Sequence, residues 1–283
     1  MKKVILFCCS CLIAINFMGC EGPAGPTGPV GRSEYSVFGQ VSFTSDTLPT
    51  YTYVVVSNIS SIPTVKLNQD LSKFSNFGYQ GASYWDTLRT ITEGDEVQLT
   101  ISGNQGIASA VVRIPQKFTI QSPDPDSLFI LSPHSNFTVS WTASNFTDYY
   151  DTYFYLYYTY VPIGGGGSKY FEFYVDTILS TTSITIPASR LFPADFDSLS
   201  SGYSYGRFEI IAINGPRPEV GAQGNVTGDG FGFFFGRSDG GDIDIRVQNS
   251  AGTYSGTKLK SDFKHEQSEK FYKKFLKWQK MSD

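Results

Sequence analysis

The chain has 283 residues, of which 16% are aromatic, and its 22 lysines and arginines stand against 26 aspartates and glutamates, for a formal charge of −4. This length allows two ordinary domains, and the acidic balance argues against nucleic acid as a partner. The two histidines are not accompanied by a Ser/His/Asp set, a metal-binding histidine pair or a glycine-rich phosphate loop. We therefore expect a protein that is not an enzyme and needs neither a metal nor a cofactor.

The N-terminus has the pattern of an export signal. Lys2 and Lys3 precede an uncharged apolar run from Val4 to Met18, and Gly19-Cys20 follows. A run of about 15 residues is too short for a permanent membrane-spanning helix. The segment resembles a bacterial lipoprotein signal, and the resemblance implies removal of residues 1–19 and acylation of Cys20. We expect a protein of the cell envelope that is held by this lipid anchor, on the outer membrane and exposed at the cell surface.

Residues 20–34 combine the anchor with a spacer. After Glu21 the chain reads Gly-Pro-Ala, Gly-Pro-Thr, Gly-Pro-Val and Gly31, which resembles collagen triplets. Barely three triplets are too few for a triple helix, so extended polyproline II is the expected conformation. At about 3.1 Å per residue, this spacer would hold the first domain roughly 35 Å from the lipid.

The stretch 35–120 is predicted to form the first β-sandwich. Its short runs of aromatic and β-branched residues are separated by Gly, Pro, Asn and Asp, which is typical of strands and turns. In Glu96–Ser102, polar and apolar residues alternate as a half-buried strand requires. Two prolines and two aspartates at 123–126 indicate a stiff, solvated linker over 121–127. The predicted strands are Tyr35–Thr44, Tyr51–Ile59, Thr64–Leu67, Glu96–Ser102 and Ala108–Ile114.

The stretch 128–250 is predicted to form a second sandwich of seven strands. In Phe137–Trp141, the apolar side chains share one face, which places Trp141 in the core. This strand, residues 182–187 and Tyr205–Gly215 resemble fibronectin type III strands in type and order. The resemblance implies this fold for the second sandwich. For the whole chain we expect an all-β fold of two tandem immunoglobulin-like or fibronectin type III-like sandwiches, with a short C-terminal α-helix. The other predicted strands are Tyr153–Tyr160, Tyr170–Val175, Ser183–Ile186, Tyr205–Ile213, Phe231–Arg237 and Asp242–Val247.

Between the last two predicted strands, Asp239-Gly240-Gly241 is expected to form a hairpin turn. Asp242, Asp244 and Arg246 would then face solvent, opposite Ile243, Ile245 and Val247. A calcium loop is the alternative, but the spacing of the carboxylates does not fit an EF-hand.

A run of tyrosines is the strongest candidate for a ligand surface. Alternation places Tyr153, Tyr155 and Tyr157 on one face of their strand, and Tyr170 and Tyr174 alternate likewise on what we expect to be its neighbour. Such side chains can stack on sugar rings or anchor a protein partner. Cross-strand tyrosine pairs also simply stabilise sheets, and this alternative stays open.

Five tripeptides of the order Asp, hydroxyl residue, aliphatic residue resemble the O-glycosylation sequon of some Gram-negative export systems. The alternative is that these residues serve the chemistry of turns. The candidate acceptors are Thr47, Thr87, Ser127, Thr177 and Ser198.

The segment 251–283 is predicted to be a basic tail with a short helix. From Lys258 to Asp283 it carries eight lysines against four acidic residues, and Phe271, Phe275 and Trp278 recur at helical spacing. Such a helix could lie on anionic lipid, dock a partner or remain solvated.

Together these features predict a non-catalytic, membrane-anchored lipoprotein that acts as a surface adhesion, structural or ligand-presenting module. A carbohydrate-binding lipoprotein and an accessory subunit of an envelope complex are the alternatives. The expected partners are the membrane, through the lipid anchor, and glycans or envelope proteins.

Overall fold

The computed structural model describes residues 34–43, 50–78, 81–86, 91–219, 222 and 224–248. The predicted signal peptide, Cys20, the spacer and the basic tail with its helix lie outside these residues. In the described ranges nearly all regular structure is β, and the one helix, α1 (Ala188–Leu191), has four residues. No helix of these ranges is long and apolar enough to cross a membrane.

Seventeen strands are formed by the described residues. The first eight are β1 (Tyr35–Phe43), β2 (Tyr51–Ser57), β3 (Thr64–Leu67), β4 (Asp70–Leu71), β5 (Phe74–Gly78), β6 (Gly81–Asp86), β7 (Glu96–Gly103) and β8 (Gly106–Arg113). The others are β9 (Ile120–Ser122), β10 (Phe129–Leu131), β11 (Phe137–Trp141), β12 (Tyr149–Pro162), β13 (Lys169–Leu179), β14 (Ser183–Ile186), β15 (Phe196–Asn214), β16 (Thr227–Gly228) and β17 (Gly230–Val247).

These strands form one long sheet and two smaller ones. The long sheet has the order β13-β12-β15-β17-β1-β2-β6-β5, and β10 also pairs with β17. The smaller sheets have the orders β14-β11-β9 and β16-β8-β7-β3-β4. The all-β prediction is confirmed. Its physical basis is the alternation of apolar and polar residues in segments such as β7, which presents one apolar face of the strand to a second layer.

The C-terminal half is an immunoglobulin-like β-sandwich. The β14-β11-β9 sheet packs on β13, β12, β15 and β17, and β10 adds to β17 in parallel. This Greek-key pairing defines the fold class. Trp141 is 2% exposed in the shared core and contacts Tyr150 and Phe208, so its predicted inward orientation is confirmed. The first strand of this sandwich, β9, reaches into the predicted linker at Ser122.

A second apolar core lies between the β16-β8-β7-β3-β4 sheet and the β17-β1-β2-β6 part of the long sheet. Strand β17 belongs to both cores. Its segment Gly230–Ser238 pairs with β1, to which it runs parallel, whereas Gly236–Ile245 pairs with β15, to which it runs antiparallel. Phe234 is accordingly buried in the N-terminal core together with Val226, although the other residues of this core end at Ile114, more than a hundred positions earlier. The two cores therefore share one continuous sheet.

The predicted hairpin turn at Asp239-Gly240-Gly241 is wrong. These residues lie inside β17, where Ile211 pairs with Asp239 and Glu209 with Asp242, so β17 has one extra residue here. The glycines make this bulge possible: Gly241 has φ +94°, and a Cβ at Gly240 would lie 2.2 Å from the Phe118 ring. Beyond the bulge, Ile243, Ile245 and Val247 are buried as predicted. Asp244 is also buried, which contradicts its predicted exposure to solvent.

Candidate functional site: the tyrosine face

Tyrosines cover the face of β12, β13 and β15 that points away from the C-terminal core. Phe154, Leu156 and Tyr158 are buried in that core, so the alternating positions of β12 face outward. Pairing of β12 with β13 and β15 continues this face across three strands. We call this surface the tyrosine face; it comprises Tyr153, Tyr155, Tyr157, Tyr170, Tyr174, Tyr203 and Tyr205.

The strand register arranges the tyrosine face in rows that mix rings and charges. Residues paired directly across an antiparallel sheet point to the same side. The three rows, each read from β13 through β12 to β15, are Glu172-Tyr157-Tyr205, Tyr174-Tyr155-Arg207 and Asp176-Tyr153-Glu209.

Contacts between rings hold the tyrosines in place. The ring centroids of Tyr153 and Tyr174 are 5.0 Å apart, and those of Tyr157 and Tyr170 are 4.9 Å apart. Tilted pairs of this kind stabilise a fold by about 0.5–1.5 kcal/mol each beyond the area they bury. Stabilisation of the sheet is therefore one role of these rings. It does not account for the exposure of Tyr170 (58%), Tyr174 (49%) and Tyr203 (57%).

Two hydroxyls at the rim are oriented by carboxylates. The Tyr170 hydroxyl donates to Glu172 Oε2 at 2.7 Å, and the Tyr174 hydroxyl donates to Asp176 Oδ2 at 3.2 Å. The hydrogen bond to Glu172, with partial desolvation, raises the pKa of Tyr170 to about 12. Burial and the charge of Asp176 raise the pKa of Tyr174 to about 12 as well. Both phenols are thus neutral at physiological pH, and about half of each residue is exposed to solvent.

Charged side chains border the rings on β15 and β17. The Arg207 guanidinium lies 2.7 Å from Glu209 Oε1 and 3.6 Å from Asp242 Oδ2. Burial alone would lower the pKa of Arg207, but these two carboxylates raise it above its ordinary value. The Arg246 guanidinium lies over the ring of Tyr205, 5.3 Å from its centroid. A flat aromatic surface with fixed charges can contact a ligand both by stacking and by hydrogen bonds.

The structure thus brings together all five tyrosines of the predicted ligand surface, Tyr153, Tyr155, Tyr157, Tyr170 and Tyr174. Four further residues of this site, Tyr203, Tyr205, Arg207 and Arg246, were not predicted from the sequence. The strand predicted at Tyr205–Ile213 is part of the longer strand β15, which begins at Phe196. Its alternation could have revealed the outward tyrosines, but no local signal shows that β15 lies beside β12.

The candidate O-glycosylation residues lie in different settings. Ser127 is exposed beside a turn, where its hydroxyl donates to the Asp124 carbonyl at 3.1 Å. Thr177 and Ser198 are half-buried within β13 and β15 rather than in turns. Thr47 and Thr87 lie outside the described residues, as does the lipidation candidate Cys20.

Within the described ranges, no group of three or more His, Cys, Asp or Glu side chains is placed to hold a metal ion. His134 lies in a turn with φ +58°, and its ring contacts those of Phe192 and Phe196. These contacts indicate a packing role for His134.

Comparison with known proteins does not assign a family. No family model and no curated protein matches the chain. Among solved structures, the crystal structure of DIP-gamma IG1+IG2 matches 76% of this chain and 98% of its own, at 9% identity and a TM-score of 0.21. Dpr2 Ig1-Ig2 in complex with DIP-Theta Ig1-Ig3 matches 75% of this chain and 66% of its own, at 12% identity and a TM-score of 0.20. The titin domains I67–I69, as an E-to-A variant, match 75% of this chain and 64% of their own, at 11% identity and a TM-score of 0.21. Such low scores carry no argument, so the fold class rests on the strand pairing described above.

Proposed function

We propose that this protein is a non-catalytic binding module that is anchored to the bacterial cell envelope by a lipid and presents its tyrosine face to a partner. One observation carries the proposal: among the described residues, seven tyrosines from three strands share one face, and three of them are about half exposed or more. Tyrosines supply large, rigid contact area at low entropic cost, which is why they are frequent in binding surfaces.

The finer fold assignment belongs to the same proposal. We infer two fibronectin type III-like sandwiches in tandem, joined through the shared strand β17. Two sandwiches joined by a shared strand suit surface adhesion or ligand presentation at the cell surface.

The anchor is tested by Cys20→Ser. We expect the wild-type protein to fractionate with membranes and to carry the mass of an acylated Cys20 at its N-terminus, and the variant to be released. Membrane fractionation of the variant to the same extent as wild type, with no acyl mass on either protein, would exclude the lipoprotein proposal.

The tyrosine face is tested by the double variant Tyr170→Ala/Tyr174→Ala in the full chain. Ile107→Ala/Val111→Ala is a matched control, because Ile107 and Val111 are similarly exposed on β8 of another sheet. Binding is measured to immobilised envelope proteins and to a glycan array. We expect the tyrosine variant to lose binding and the control to retain it; equal binding by both would contradict the proposal.

A glycan ligand is the second candidate, because the rows of the tyrosine face alternate rings with carboxylate and guanidinium groups. Rings could stack on sugar faces while Glu172, Asp176 and Arg207 accept from or donate to hydroxyl groups. Signal confined to the glycan array would favour this alternative. An accessory subunit of an envelope complex would instead show tyrosine-dependent binding to envelope proteins alone.

A further inference from the structure

Strand β13 forms one end of the long sheet. It pairs with β12 without a register shift over its whole length, from Tyr160↔Lys169 to Tyr150↔Leu179. Within the described residues no strand pairs with its other edge. An edge strand of this kind presents a row of backbone donors and acceptors that can pair with another chain. Its length of 11 residues is about twice that of an ordinary strand.

This edge lacks two of the features with which proteins commonly block strand addition, namely proline and a bulge. β13 contains no proline and no bulge, and its one lysine, Lys169, lies at the end of the strand, bound to Asp195 at 2.6 Å. Its two other charged residues, Glu172 and Asp176, are carboxylates, which disfavour pairing with an acidic strand but not with a basic one. The sequence of β13 therefore leaves most of its edge able to accept a strand of suitable charge.

The edge is also held in a fixed position by packing on its inner face. The Phe171 ring stacks on Tyr158 with centroids 4.9 Å apart, and Phe173 contacts Phe154 at 5.9 Å. The Arg190 guanidinium lies over the Phe173 ring, 4.9 Å from its centroid. A strand fixed in this way loses little conformational entropy when a partner binds.

The outer face of β13 selects the charge of that partner. Its outward residues run Tyr170, Glu172, Tyr174 and Asp176, so rings and carboxylates alternate. Cations are attracted both to carboxylates and to the faces of aromatic rings. Across β13, β12 and β15, this face carries four carboxylates, Asp151, Glu172, Asp176 and Glu209, against one guanidinium, that of Arg207, among the described residues. An acidic partner would be repelled.

A second copy of this chain fits the edge poorly. Antiparallel self-pairing centred on Tyr174 would set Glu172 of each copy opposite Asp176 of the other. Like charges directly opposite one another destabilise a sheet. In other antiparallel registers, such as one centred on Phe173, this repulsion is absent, but Lys169 still lies on the opposite face from Glu172 and Asp176, so self-pairing gains no contact between opposite charges. A basic strand therefore complements this edge better than a second copy does.

We propose that the edge of β13 binds an extended, basic segment of a partner protein as an additional strand. Lysine or arginine at alternate positions of that segment would lie beside Tyr170, Glu172, Tyr174 and Asp176. Alternate residues of both strands repeat at roughly 7 Å, so cations and acceptors stay in register along the pair. Backbone pairing supplies affinity, and the alternating side chains supply specificity. This inference rests on the proposed function and names the partner class for the tyrosine face.

The test uses the full chain and short peptides of defined pattern. The probe alternates lysine and threonine; one control alternates glutamate and threonine, and another has the lysines clustered. Two further versions of the probe are N-methylated on alternate residues, each set removing the backbone donors of one peptide edge. The protein variants are Glu172→Gln/Asp176→Asn and the charge-matched control Asp126→Asn/Asp197→Asn, whose side chains are exposed elsewhere.

We expect the alternating basic peptide to bind and to lose about tenfold or more in affinity with the Glu172/Asp176 variant but not with the control variant. Added salt should weaken binding, and one of the two N-methylated peptides should fail to bind. Equal binding of the clustered and alternating peptides, or of both N-methylated peptides and the parent, would overturn strand addition. If no basic peptide binds while Tyr170→Ala/Tyr174→Ala still abolishes binding to envelope proteins or glycans, this inference fails and the proposed function stands.

Discussion

Replacing Trp141 by alanine tests the shared sheet most directly. Trp141 is 2% exposed, and its indole contacts Tyr150 and Phe208, which lie on β12 and β15 of the long sheet. A buried tryptophan removes about 150–250 Å² from water, worth roughly 4–6 kcal/mol at about 25 cal/mol per Å². Since alanine retains part of this area and the site relaxes in part, we expect a loss of about 3–5 kcal/mol in the free energy of unfolding.

The shared strand determines how this loss spreads. β17 pairs with β15 beside the C-terminal core and with β1 beside the N-terminal core, so unfolding one sandwich removes a central strand of the other. Urea titration should therefore show one transition with a lower midpoint. Hydrogen exchange measured on β7 and β8, which contribute only to the N-terminal core, should accelerate by the same free energy.

The Trp141 prediction has two contradicting outcomes. A loss below about 1 kcal/mol would mean that Trp141 is not packed in the core. Wild-type protection of β7 and β8, with destabilisation confined to the C-terminal half, would mean that the two sandwiches unfold independently. Trp141→Phe serves as the milder control, because it keeps an aromatic ring at this position and should lose less.

Three further predictions concern the tail, the shared strand and the tyrosine face. A peptide of residues 258–283 should bind anionic vesicles and gain helicity at low salt but be released at high salt. The reason is that each lysine near such a surface contributes about 1 kcal/mol, and this attraction decays over a Debye length of roughly 8 Å at physiological salt. An unbound, unstructured peptide at low salt would exclude the membrane role. Gly232→Ala should lower the free energy of unfolding by about 2 kcal/mol or more, because φ is +130° and a Cβ would lie 2.0 Å from a backbone oxygen of β1. Gly167→Ala is the control: a Cβ there would have nothing within 4 Å, so urea titration should show no loss of stability. Glu172→Gln should lower the pKa of Tyr170 from about 12 towards 10, because it removes the anion that favours the neutral phenol. The rise in tyrosinate absorbance at 295 nm would then begin at lower pH. An unchanged titration would contradict the contact between Tyr170 and Glu172.

Several local features could be predicted from the sequence because strand alternation is a property of the backbone. Phe137–Trp141, Thr64–Leu67 and Ser183–Ile186 are strands with the predicted bounds. The outward orientation of Tyr153, Tyr155 and Tyr157 follows from the same period of two, since the intervening residues of β12 are buried. A strand with one apolar face shows this pattern whichever strand lies beside it.

The break predicted within residues 231–247 failed because glycines support more than one local conformation. Asp239-Gly240-Gly241 has the composition of a turn, yet it forms a bulge in which β17 continues. The choice between turn and bulge depends on β15, which pairs on both sides of these residues, and on the Phe118 ring beside Gly240. Neither neighbour is encoded in the tripeptide itself.

The sequence by itself determined the bounds of strands such as β3, β11 and β14 and which of their side chains share a face, although it did not reveal strands such as β5, β6 and β10. Only the tertiary structure decided which strands are neighbours: it pairs β1 with β17, joins Gln40 to Arg237 across 197 positions by a 2.7 Å hydrogen bond, and places Tyr203 and Tyr205 beside Tyr157. It also decided that Asp244 is buried. The physical reason is that alternation arises from local backbone geometry, whereas strand partners are selected by the packing of distant layers, which the same local pattern permits in many combinations.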